Sequence, residues 1–239
     1  MTDNQIFKFK KFTVDQSNCT MKVGTDGILL GAWCDVKRAK KALDIGTGSG
    51  LISLMIVQRN EAAIIDGVEI DETSYNQAKR NFMDSDWHKR LNIVNSSIQD
   101  FSAESKGNYN LIVCNPPFFS GGTLSSYQNK NYVRHTIKLS HQDLLKSARK
   151  LLSSKGIFCV ILPLIEGLRF VEMAETYGMY CNRKTSVFSK KGRPVERLLL
   201  EFSKEKKDLL EDNLVIYKKE NDEWTLDFIQ LTREFYLKM

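Results

Sequence analysis

From about residue 40 onward the chain alternates short β-rich apolar runs with longer amphipathic stretches, and few folds satisfy that alternation. KKALDIG (40–46), AIIDGVEI (63–70), LNIVN (91–95), YNLIVCN (109–115) and GIFCVILP (156–163) read as strands. SGLISLMIVQR (49–59), DETSYNQAKRNFMDS (71–85, capped by Asp71), SHQDLLKSARKLLSS (140–154) and EGLRFVEMAETYG (166–178) read as helices. MYCNRKTSVF (179–188) and ERLLLEFS (196–203) follow with no helix between them, which predicts an antiparallel hairpin at one sheet edge. Residues 214–217 add a short strand and 225–237 a helix. The expected architecture is α/β: a mostly parallel, seven-stranded sheet with helices on both faces. One domain is expected over 1–239, with its core at 40–239 behind an N-terminal extension of 1–39.

Neither a signal-peptide pattern nor an apolar run near ~18 residues is present, so the expectation is a cytoplasmic protein without membrane attachment. Five cysteines (Cys19, Cys34, Cys114, Cys159, Cys181) form no CxxC pair and read as reduced thiols; no metal site is expected. A net charge of +6 and a pI near 9.0 favour a polyanionic partner. Composition alone does not separate nucleic-acid binders from other basic proteins.

The string Leu43-Asp44-Ile45-Gly46-Thr47-Gly48-Ser49-Gly50 ends a predicted strand and opens a predicted helix. Glycines there admit a ligand close to the backbone, and the helix start offers N–H groups. A pyrophosphate would be repelled by Asp44, whereas an ammonium group would be welcomed. Glu69 closes the second strand, placed to accept from ribose hydroxyls. This DxGxGxG string with a strand-terminal Glu resembles the class I S-adenosylmethionine-dependent methyltransferases, and so implies a Rossmann-like fold and that cofactor. The resemblance implies that Gly46, Gly48 and Gly50 wrap its methionine part, that Asp44 orients it and that Glu69 holds its ribose. Ile70 and Ile98 would sandwich the adenine. The family's acidic residue after the third strand is replaced here by Ser97. Either Ser97 accepts the adenine amine, or Asp100 reaches in, or backbone alone recognises it.

Asn115-Pro116-Pro117-Phe118 closes the fourth strand. An exocyclic amine conjugated to an adenine ring is a poor nucleophile, and two fixed acceptors would help it: the Asn115 side-chain oxygen and the Pro116 carbonyl. Consecutive prolines hold the turn rigid, and Phe118 can stack on an extruded base. The motif resembles the amino-methyltransferase signature shared by adenine-N6, guanine-N2 and glutamine-N5 enzymes, which defines the reaction type better than the substrate. The long polar segment 119–139 reads as a binding loop, with Arg134 and His135 as RNA candidates; His88 and His141 receive no role.

Residues 7–12, Phe-Lys-Phe-Lys-Lys-Phe, suit a half-buried strand and a basic aromatic surface, so Lys8, Lys10, Lys11 and Lys22 join the RNA candidates. SKKGRP (189–194) reads as a turn, either simply solvated or in contact with RNA. MKVGTDGILLGAW (21–33) should fold over the cofactor, making Thr25 and Asp26 candidates for its methionine end. With LDIGTGSGL, NPPF and the closing LTREFYLKM (231–239), this segment makes the chain similar to the bacterial tRNA1(Val) adenine-37 N6-methyltransferases. That resemblance implies N6-methylation of an adenine beside a tRNA anticodon, with tRNA as partner; no obligate protein partner is inferred. The alternatives are an rRNA base methyltransferase, a protein glutamine-N5 methyltransferase and a non-catalytic RNA-binding protein.

Overall fold

The computed structural model describes residues 5–19, 21–117, 139–218 and 223–238. Five strands, β3 (Lys41–Ile45), β4 (Ile64–Glu69), β5 (Leu91–Asn95), β6 (Tyr109–Cys114) and β7 (Leu152–Pro163), run parallel in the order β5-β4-β3-β6-β7. The order reverses between β3 and β6. Ile45 pairs with Cys114 there, so the residues that follow, Gly46 and Asn115, leave the sheet side by side. A reversal of this kind opens a crevice at the carboxyl ends of the strands.

Side chains alternate between two cores, as the strand pleat demands. Ala42, Ile65, Leu111, Val113 and Leu199 face one layer with α1 (Thr25–Trp33), α2 (Leu51–Arg59) and Phe82 of α3 (Glu72–Met83). Leu43, Ile45, Val68, Ile112 and Leu200 face the other, where α4 (Ile98–Glu104), α5 (His141–Leu151) and α6 (Leu164–Thr176) pack. Asp71 caps α3 by accepting from Ser74 N–H at 2.8 Å, as the sequence predicts. Four of the five cysteines are buried and none is in a disulfide. Among the described residues no helix is long and apolar enough to cross a membrane.

The structure corrects the expected sheet in two respects. The main sheet holds eight strands among the described residues, and the hairpin does not form its edge. β9 (Val195–Ser203) inserts antiparallel between β7 and β8 (Tyr180–Lys190), and β10 (Leu210–Tyr217) pairs parallel with β8 to form the margin. Leu198, Leu199, Leu200 and Phe202 are all at most 1% exposed, which requires cover on both faces and neighbours on both sides. The β10 pattern, four exposed residues and then alternation, is that of an edge.

The Phe-Lys run is likewise not one strand. β1 (Ile6–Lys8) and β2 (Thr13–Asp15) form a separate antiparallel pair, and Phe9 N–H donates to Phe12 O at 2.9 Å across the turn. That turn lets Phe9 and Phe12, on opposite faces of an uninterrupted strand, stack at 4.5 Å and both be buried.

Candidate active site

Three segments that end at the carboxyl edge of β3, β4 and β6 form the site, closed over by the start of α1. The glycine loop turns sharply after Ile45, with Gly46, Gly48 and Gly50 all at positive φ. At Gly50 two demands coincide: φ is +86°, and a Cβ would lie 2.6 Å from the Phe82 ring. At Gly46, φ is +71° and a Cβ would meet nothing within 4 Å, so the backbone there faces open space.

Two cavities flank Gly46. One, of about 350 Å³, runs from the glycine loop to Asn115, Arg197 and residues 21–27. The other is smaller, about 50 Å³, and is walled by Val68, Ile70, Ser97, Ile98 and Leu139. Gly46 borders both, so the two cavities meet at the glycine loop. A third cavity, of about 490 Å³, lies apart from these two beyond the C-terminal end of α1 and presents Asp212, Asp227 and Glu234.

Glu69 is 8% exposed, and its carboxylate braces the loop: Gly48 N–H donates to Oε2 and Asp71 N–H to Oε1, each at 2.9 Å. Burial raises its pKa, opposed by those two N–H donors. Asp44 sits behind the loop rather than on the cavity wall. Its Oδ2 accepts from Ser53 Oγ at 2.7 Å and Ser53 N–H at 3.2 Å, fixing the start of α2, while its Oδ1 has no partner. Burial pushes its carboxyl up to about 7, and the nearby Glu69 charge adds to the rise.

The Asn115 Oδ1 is also buried and unpartnered, on a side chain that lines the larger cavity. Pro116 is buried and Pro117 half-buried beside it. Unpaired buried acceptors are rare because each forfeits about 1–3 kcal/mol, and at a cavity wall they mark where a donor is to be received. Phe118, Arg134 and His135 lie outside the described residues.

Ser97 and Asp100 turn out to satisfy each other. Ser97 is the N-cap of α4: its Oγ accepts from Asp100 N–H at 3.0 Å and donates to Asp100 Oδ2 at 2.6 Å. Ser97 lines the smaller cavity with Ile70 and Ile98. Thr25 and Asp26 form the first turn of α1 and line the larger one.

Sequence reasoning missed Arg197, whose Nε donates to Asp26 Oδ2 at 2.9 Å inside that cavity. The signal was a lone cation opening the apolar run RLLLEF, but only the sheet order brings it to α1. Asn81 was missed as well; its Nδ2 ties Ser49 O to Asp15 O, both at 2.8 Å, anchoring the loop to β2.

Of the cationic candidates, Lys22 lies at the rim of the larger cavity and donates to Gln16 O at 2.8 Å. Lys8, Lys10 and Lys11 are exposed elsewhere. Lys10 Nζ donates to Arg233 O and its N–H to Phe235 O, while Gln58, in the last turn of α2, donates to Glu234 O. α2 begins at the glycine loop, so this cluster lies roughly 13 Å off, at a rise of about 1.5 Å per residue.

A family model described as "Methyltransferase small domain" matches residues 19–182. The chain is 46% identical to a tRNA1(Val) (adenine(37)-N6)-methyltransferase of Trichodesmium erythraeum, over 100% of both chains. It is 43% identical to the protein of the same name in Actinobacillus succinogenes, over 97% of each. Among solved structures, a predicted O-methyltransferase from Agrobacterium tumefaciens superimposes with a TM-score of 0.67 at 15% identity, over 88% of this chain and 96% of that one. That likeness extends to the fold alone.

Proposed function

The chain belongs to the tRNA1(Val) (adenine(37)-N6)-methyltransferase family, and from that premise we propose that it methylates the exocyclic N6 amine of adenine 37, beside the anticodon of tRNA1(Val). The observation that carries the reading is the Asn115 Oδ1: a buried, unpartnered acceptor on the wall of the cavity that the glycine loop also lines. An amide oxygen that takes one N–H of the amine favours the pyramidal nitrogen whose lone pair is free to attack. The Pro116 carbonyl takes the second N–H. With φ fixed at two successive prolines, both acceptors keep their aim at little reorganisation cost. S-adenosylmethionine, when bound, supplies an electrophilic methyl group. No residue has to remove a proton beforehand, because the amine turns acidic on methylation and releases its proton to water.

Ile70 and Ile98 would hold the cofactor's adenine between them, with the backbone around the Ser97 cap meeting its amine. Glu69 holds the ribose hydroxyls while keeping Gly48 in place. Asp26 and Thr25, in the larger cavity, would face the ammonium of its methionine end and Arg197 its carboxylate. Asp44 acts from behind, holding the loop to α2 through Ser53. A single domain does this work, in the cytoplasm, where tRNA is available.

The test is to incubate the protein with labelled S-adenosylmethionine and, in parallel, unmodified total tRNA, rRNA, DNA and a protein extract, then digest the labelled fraction. Label recovered from tRNA as N6-methyladenosine is the expected result. Label in rRNA, DNA or protein, or in another nucleoside, would overturn the substrate assignment.

A further inference from the structure

Topology brings one group of cations to the edge where Asn115 stands and carries another away from it. β7 runs parallel to β6, so Pro163 at its end lies at that edge, and Pro163 pairs with Arg197 near the start of β9. Phe188, near the end of β8, pairs with Val195. The turn joining β8 to β9 therefore projects beyond the same edge as the active-site cavity.

That turn holds Lys190, Lys191 and Arg193. Arg193 N–H donates to Lys190 O at 3.1 Å, and Gly192 sits at φ +84° with nothing within 4 Å of where a Cβ would be, so the turn is tight and its surroundings open. Lys191 and Arg193 are exposed, and among the described residues no carboxylate is paired with either. The one acid nearby in sequence, Glu196, is exposed. Arg197, four residues along the strand from Arg193, points into the cavity instead and is held by Asp26.

We propose that this turn grips the substrate RNA, with Lys191 and Arg193 neutralising backbone phosphates that flank the methylated adenine. The proposal rests on the reading of the site as one that receives a base from RNA. A base drawn into a cavity at the strand ends leaves its neighbouring phosphates at the rim, and cations not already paired with carboxylates meet them without first breaking an ion pair. Phosphate contacts of this kind set position and affinity, not sequence. The Lys10–Lys11 turn is the more conspicuous basic feature in the sequence, yet the fold sends it to the far end of α2.

The experiment measures affinity for unmodified tRNA by filter retention over a salt series, with S-adenosylhomocysteine present, for the full chain and three double variants. Lys191→Glu/Arg193→Glu is expected to weaken binding at least roughly tenfold at low salt. Lys191→Gln/Arg193→Gln should lower the slope of log K against log salt by roughly 0.7–0.9 per lost contact. Affinity for S-adenosylhomocysteine and the melting temperature should be unchanged in both, since the turn touches neither cofactor cavity. Unchanged tRNA affinity and salt slope would overturn the proposal, as would failure of the unsubstituted chain to bind tRNA. An equal loss from Lys10→Glu/Lys11→Glu would overturn the assignment to this edge. A chain that binds tRNA through the turn yet transfers no methyl group to it would fail the functional reading and leave this one standing.

Discussion

Arg197 Nε donates to Asp26 Oδ2 at 2.9 Å, joining the start of β9 to the first turn of α1 across the larger cavity. The two side chains are 29% and 22% exposed, so water screens the pair and its contribution to stability is small, about 0–1 kcal/mol. Under the proposed function its consequence is for binding. A positive and a negative group held side by side match a zwitterion, which is what the amino-acid end of the cofactor is.

Replacing Arg197 by Gln should therefore weaken binding of S-adenosylhomocysteine about tenfold, a loss of one charge-assisted contact. Affinity for methylthioadenosine, which lacks the amino-acid end, should not change. Calorimetric titration of both ligands checks this, and equal losses for the two would sink the assignment.

Asn115→Ala removes the orphaned acceptor. By analogy with deleting one preorganised hydrogen-bonding group in other active sites, kcat for tRNA should fall about 10²- to 10³-fold. Binding of S-adenosylhomocysteine should survive, because Asn115 acts on the amine. If kcat holds within threefold, the acceptor role is wrong.

The glycines predict two different failures from one kind of substitution. Gly50→Ala puts a Cβ 2.6 Å from the Phe82 ring at φ +86° and should destabilise the fold by at least about 1–3 kcal/mol. Gly46→Ala meets no protein atom within 4 Å and carries only the backbone cost of its φ, about 1–2 kcal/mol, while its methyl group occupies cofactor space. Thermal melts should rank Gly50→Ala below Gly46→Ala. Cofactor titration should show binding abolished in the folded Gly46→Ala protein; retained binding there would contradict the placement of the cofactor against that loop.

Asp44 makes stability depend on pH. The folded chain keeps its carboxyl protonated up to about pH 7, whereas an unfolded chain releases that proton near 3.8. Between those values the native state binds more protons, so this group's contribution is full below the window and is lost as pH rises through it. Asp44→Asn deletes the titration. The melting temperature of the unsubstituted chain relative to that variant should fall from pH 4 to pH 7, and parallel profiles would show that the carboxyl titrates normally.

Much of this site was legible because its signals are local. LDIGTGSG and Asn115-Pro116-Pro117 each lie at the end of a strand whose composition gives it away, and Asp71 caps a helix at the position its chemistry suits. α4 escaped notice because seven residues hold too few apolar positions for a periodicity. With it went the finding that Ser97 and Asp100 are first of all a cap and its partner. The helix expected to run to 154 stops at Leu151, because Leu152 pairs with Tyr109 and begins β7. A strand partner distant in sequence overrode the local helical pattern there.

By itself, then, the sequence determined the central strands and most of the helices between them, the glycine loop and the two motif-bearing strand ends, since each depends on contacts within a few residues. Tertiary structure alone decided that β9 inserts beside β7. That choice places Arg197 against Asp26, 171 positions away, and swings the β8–β9 turn over the active-site edge. It also decided that the Phe-Lys turn goes to the opposite end. The physical reason is the same in each case: burying the leucines of β9 and stacking Phe9 on Phe12 are satisfied by packing against distant segments, and the cations go where those apolar groups take them.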